Sequence, residues 1–115
     1  MSATPGTYNI TLYRGDTWTA DIVLTDTVSG SVLDLTGYSA LAQIRATADA
    51  ASAEASFASV LTELEGKVTL TLSAAASAAL TITSGVWDLQ LTDASSAVRT
   101  YLAGSVTVTP DVSRA

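Results

Sequence analysis

The chain contains no histidine and no cysteine. Without imidazole it lacks the side chain that ordinarily titrates near neutral pH. Without thiols it can form no disulfide, thiolate nucleophile or zinc–sulfur centre. Aromatic residues are also scarce at 6%, so any core must be built from Leu, Ile, Val and Ala. Basic residues number five against eleven acidic ones, a net charge of −6. Arg14, Arg45, Lys67, Arg99 and Arg114 stand singly along the chain and form no basic footprint, so nucleic acid is not an expected partner. The same balance disfavours an anionic membrane surface. No apolar run approaches the roughly 20 residues of a membrane-spanning helix. The opening Met-Ser-Ala-Thr-Pro-Gly has no basic stretch leading into an apolar one, so no secretory leader is expected. Absent cysteine fits synthesis in a reducing cytoplasm.

What remains is a chain of 115 residues, the size of one domain. Hydrophobic residues reach 48% while charged ones reach only 14%, which argues against a disordered tail. So little charge implies that a partner covers part of the surface.

Most of the sequence alternates with period two, the signature of half-buried strands. Tyr8, Ile10 and Leu12 share one face of a first strand. Trp18, Ala20, Ile22 and Leu24 share the inward face of a second, with Thr17, Thr19 and Asp21 opposite. Thr25 to Ser31 is turn-rich, and Val32 to Leu35 reads as a short strand. Tyr38, Ala40, Ala42 and Ile44 alternate again. The segment from Ala46 is alanine-rich without an apolar stripe, so it reads as a loop or single helical turn. A short strand follows around Ala55 to Ser59 with Phe57 inward. Val68, Leu70 and Leu72 mark the next strand, and Ser73 is placed to cap a helical turn ending near Leu80. Trp87, Leu89 and Leu91 point inward on the following strand, which turns at Asp93 to Ser96. The last strand carries Val98, Thr100, Leu102, Val106 and Val108 on one side, and Gly104 within it implies a bulge or a close backbone approach. The expectation is an all-β domain over 1–115: an immunoglobulin-like antiparallel β-sandwich of seven to eight strands with one short helical connection, an N-terminal arm at 1–7 and a tail at 111–115.

Four sets of residues invite a functional reading. Arg14-Gly15-Asp16 is the tripeptide displayed by integrin-binding loops, but between two strands it reads as a structural turn, with Gly supplying the backbone angle. The carboxylates fall at turns and outward faces, without the apolar setting that raises a catalytic pKa, so no catalytic residue is expected. No acidic run resembles a calcium loop, and neither metal nor cofactor is expected. Trp18, Phe57 and Trp87 lie on inward faces and read as core aromatics; a carbohydrate platform would need the tryptophans exposed. Arg99 and Tyr101 alternate opposite Leu102, so the pair is either an interface or ordinary cross-strand packing. Thr-rich outward faces with few Lys or Pro gatekeepers leave strand edges that loops or another subunit must cover.

The segments Tyr13-Arg14-Gly15-Asp16-Thr17-Trp18, Asp34-Leu35-Thr36-Gly37-Tyr38 and Ala42-Gln43-Ile44-Arg45 resemble a module of tailed bacteriophages. Val68 to Ser73 and Trp87 to Thr92, followed by the closing Val-Thr-Val-Thr-Pro, fit it as well. The module is similar to the N-terminal domain of phage baseplate upper proteins and to small single-domain virion proteins, and the likeness runs from about Tyr8 to Asp111. It implies a β-sandwich virion component, made in the bacterial host cytoplasm, that binds other virion proteins and works as a homo-oligomer or in repeated copies. It brings no catalytic residues. Baseplate upper proteins continue into a docking region for receptor-binding proteins, whereas this sequence stops. The expected place is the tail, baseplate or fibre-attachment region, with capsid decoration as the alternative. A carbohydrate-binding module for host glycans is the alternative of another class.

Overall fold

Alternation of large apolar and polar side chains decides the architecture of the computed structural model, which describes residues 6–25 and 30–110. Nine strands form among the described residues: β1 (Gly6–Thr7), β2 (Ile10–Tyr13), β3 (Trp18–Val23), β4 (Ser39–Arg45), β5 (Ala55–Ser56), β6 (Ala58–Thr62), β7 (Lys67–Leu72), β8 (Ser84–Thr92) and β9 (Val98–Thr109). One sheet has the order β1-β9-β8-β4-β5, with β2 also on β9; the other has the order β3-β7-β6. Both sheets contribute to one core. Ile44, Leu89, Leu91 and Val106 come from the first, and Ile22, Val68, Leu70 and Leu72 from the second. Leu35 and Leu80 enter it from connections.

The inward sets on β3, β4, β7 and β8 are those the alternation gives. Val68, Leu70, Leu72, Trp87, Leu89 and Leu91 are all buried. The connection after β7 is one helical turn, α1 (Ala74–Ala78), and the Ser73 hydroxyl accepts from the Ala76 N–H at 3.1 Å as its N-cap. A 3-10 turn at Glu63–Glu65 ends on Gly66, whose φ of +61° suits glycine.

Five expectations need correction. Nine strands replace the expected seven to eight among the described residues, because the first strand breaks at Tyr8–Asn9 and the strand expected at Ala55–Ser59 breaks at Phe57 into β5 and β6. The sheets are not wholly antiparallel, because β1 and β2 run parallel to β9. Gly6–Thr7, expected as arm, is therefore a strand. Val32 to Leu35 is no strand, since only Thr25 and Val32 form a bridge there. Tyr8 is not a core neighbour of Ile10 and Leu12. The chain bows outward at Tyr8–Asn9 and leaves Tyr8 exposed, because these two residues step over Gly104 between β1 and β2. The outer parts of the expected arm and tail, and the middle of the Thr25–Ser31 turn, lie outside the described residues.

Gly104 answers to the close approach and not to the bulge. The bulge lies three residues earlier: Leu89 pairs with Leu102 but Gln90 with Thr100, leaving Tyr101 as the extra residue.

Candidate functional site

The Arg14-Gly15-Asp16 turn is tied down at every residue. Gly15 has φ +93°, which only glycine adopts freely. Its N–H donates to the Ser77 hydroxyl at 2.9 Å, and that hydroxyl donates to the Asp16 carbonyl at 2.7 Å. Ser77 on α1 is fully buried, so the helical turn serves as the anchor. The Arg14 guanidinium donates through Nη2 to the Ile82 carbonyl at 3.1 Å. These bonds hold Arg14 against the body of the domain, so the tripeptide is a structural turn. An adhesion loop needs its Arg side chain free.

The core aromatics gather into one cluster. Phe57 packs between Trp18 and Trp87, with ring centroids 5.4 and 5.8 Å away. Trp87 and Phe57 are buried and Trp18 is half-buried against the same core. The Trp87 indole N–H donates to the Tyr8 carbonyl at 2.6 Å, while the Tyr8 ring meets it edge-on at 6.2 Å. Sequence alternation finds the cluster but gives no sign of this donor's partner, which lies 79 positions away.

Arg99 and Tyr101 do not sit as the alternation has them. The bulge at Tyr101 changes the face it presents, and Tyr101 packs half-buried against the core margin. Burial raises its phenol pKa above the ordinary value, Tyr38 adds to the rise, and Arg99 opposes it. Arg99 is exposed. A strand bulge is one inserted residue without a composition of its own, so period-two reading runs through it unaware.

Outward side chains of β4 and β8 line an open concavity of about 660 Å3 on the first sheet: Leu41, Gln43, Arg45, Val86, Asp88 and Gln90. Arg45 is held by its neighbours, donating to the Ala50 carbonyl at 2.8 Å and to the Gln43 amide oxygen at 3.1 Å. Asp88 is the only carboxyl in the lining. Burial raises its pKa, outweighing the opposing attraction of Arg45. This set can bind through amide, guanidinium and carboxylate groups. It offers no second carboxyl for paired acid/base work. Among the described residues no group of His, Cys, Asp and Glu could hold a metal ion. Asp88 escapes the sequence reading because its burial depends on the neighbouring strand.

A raised carboxyl pKa has a fixed sign in stability. In the window above the ordinary value of 3.8, the folded state holds more proton than the unfolded one. Stability from this group is therefore lost as pH rises through the folded pKa. Asp88→Asn is expected to raise the denaturation midpoint at pH 7, with the gain vanishing near pH 3. Paired urea titrations at the two pH values check this, and a loss of stability at pH 7 would refute it.

No protein-family model matches the chain, and no curated protein is significantly similar to it. No described helix is long and apolar enough to cross a membrane.

Proposed function

We propose that this chain is a non-enzymatic structural component of a tailed-phage virion, acting through protein–protein contacts in the tail, baseplate or fibre-attachment region. The observation that carries the contact role is its surface. Leu41, Val60, Leu64 and Val98 are half or more exposed, and the only ion pair among the described residues is Lys67–Glu65 at 3.5 Å. Large exposed apolar side chains favour burial against a neighbour; Leu41 and Val60 are flanked by uncharged residues, while Leu64 lies between Glu63 and Glu65 and Val98 beside Arg99. The assignment to a phage particle rests on the likeness of the Tyr13–Trp18, Asp34–Tyr38 and Trp87–Thr92 segments to the baseplate module.

The fold is read as an immunoglobulin-like β-sandwich. The order β3-β7-β6 in one sheet and β5-β4-β8-β9 in the other, with the first strand added beside the last, supports that topology. A host-glycan platform is not favoured, because Trp87 is buried and Trp18 half-buried. Other virion proteins are the proposed partners, with the chain present in repeated copies.

Quantitative mass spectrometry of purified particles tests the proposal. The expected result is a copy number far below that of the major capsid subunit. A ratio near one to one would replace the tail assignment with capsid decoration. Absence from particles would overturn the virion assignment.

A further inference from the structure

We propose that the free edge of β3 is a self-association site, at which a second copy of this chain adds its own β3 antiparallel to extend the three-stranded sheet. The proposal is independent of the virion assignment.

Among the described residues β3 pairs only with β7. The Leu24 N–H donates to the Gly66 carbonyl at 2.8 Å, continuing the β3–β7 register one step beyond Val23–Lys67. Backbone groups alternate sides along a strand, so Trp18, Ala20 and Ile22 also turn theirs toward β7. Thr19, Asp21 and Val23 therefore aim their N–H and C=O groups at the open edge. Among the described residues this is the longest open edge: β3 offers six residues, β2 four, β5 two and β6 five.

Native edges of this length are normally guarded by Lys, Pro, a bulge or an obstructing charge. Here β3 has neither Lys nor Pro and keeps unbroken register with β7. Its single charge is turned away. The Asp21 carboxylate accepts from the Thr69 hydroxyl at 2.8 Å, across the sheet on β7. Thr19 leans the same way, donating to the Leu70 carbonyl at 3.1 Å and meeting Thr71 at 3.2 Å. Of the three exposed side chains on β3, the polar Thr19 and Asp21 lean toward the paired side, and the third, Val23, carries no charge to guard the edge.

Charge selects the register. A two-fold axis at Asp21 would set two carboxylates directly opposite each other, which is unfavourable. An axis at Ala20 instead sets Thr19 opposite Asp21 of the second copy, and Asp21 opposite its Thr19. Thr–Asp adjacency is the pairing Asp21 already makes with Thr69. The axis at Ala20 also makes Ala20 face itself in a non-hydrogen-bonded pair, with Cα atoms about 4.5 Å apart. That spacing lies in the range of roughly 4.4–6.8 Å over which a disulfide closes.

The absence of native cysteine makes the test clean. Sedimentation equilibrium of the intact chain at about 150 mM salt is expected to give a mass rising with concentration toward twice 11.7 kDa. Under mild oxidation Ala20→Cys should form a covalent dimer, whereas Val60→Cys on the β6 edge should not. Thr19→Pro removes an outward N–H and spares the backbone ladder to β7, and should weaken the dimer about tenfold or more, whereas Thr19→Ala, which loses only the hydroxyl contacts to Leu70 and Thr71, should not. Circular dichroism establishes that each variant is folded. A monomer at all concentrations, equal cross-linking of the two cysteine variants, or a dimer unaffected by a folded Thr19→Pro chain would each overturn the proposal.

Discussion

Replacing Gly104 with alanine is expected to detach β1 and β2 from β9. A Cβ at this position would run into the Tyr8 carbonyl oxygen and lie 2.7 Å from its carbon, inside any tolerable contact. Gly104 does not have a positive φ, so space and not backbone conformation is the obstacle. Nor can the neighbour yield cheaply, because three hydrogen bonds fix it. The Tyr8 N–H donates to the Ala103 carbonyl at 3.0 Å, the Trp87 indole donates to the Tyr8 carbonyl, and the Ser105 N–H donates to the Asn9 amide oxygen at 3.0 Å. Losing them, together with part of the burial of Ile10 and Leu12, should cost about 4 kcal/mol. That is a large share of the roughly 5–15 kcal/mol that holds a domain together. Urea denaturation gives the loss directly, and hydrogen exchange at Ile10 and Leu12 should accelerate more than at Leu70. A loss below about 1 kcal/mol would mean that this segment does not cross Gly104 as described.

The second large effect is expected at Trp87, where ring and donor act separately. Trp87→Ala empties a buried site beside Phe57 and should cost about 4 kcal/mol, in the range for large-to-small core changes. Trp87→Phe keeps most of the ring and deletes the N–H, leaving the Tyr8 carbonyl without that partner; about 1–2 kcal/mol is expected. Both variants leave Trp18 as the only indole, so fluorescence-monitored unfolding reports on the opposite sheet alone. A Phe variant as stable as the parent would show that the indole bond contributes nothing net. Gly104 and Trp87 share Tyr8 as a neighbour, so their double variant should lose less than the two separate losses together.

Much of the fold could be read in the sequence because its core strands are regular. Trp18 to Leu24, Val68 to Leu72 and Trp87 to Leu91 each alternate without interruption, and period two alone orients them. The Ser73 cap is equally legible, since a hydroxyl before an Ala run has one common use. The failures have a shared physical origin. Tyr8 sits where the chain crosses Gly104 and Tyr101 is the extra residue of a bulge, and each loses its expected face at that break in the ladder. Parallel pairing of β2 with β9 joins residues nearly a hundred positions apart, and composition carries no trace of such pairing. The concavity around Asp88 needs Gln43 and Arg45 brought alongside, so no local motif announces it. Gly104 is the exception: its residue type alone narrows the choice to a bulge or a close backbone approach, and the second holds.

The parallel seam between β2 and β9 has a mechanical consequence. Ile10 pairs with Val106 and Tyr13 with Thr109, so the chain enters this seam at one end of the sheet and leaves it at the other. A pull through Gly6 and Thr109 runs along the strands in opposite directions and loads the cross-strand bonds in shear, all at once. The antiparallel β8–β9 pair would instead peel bond by bond if drawn apart from its turn. Tension along the chain thus meets its stiffest resistance where the first and last strands lie side by side.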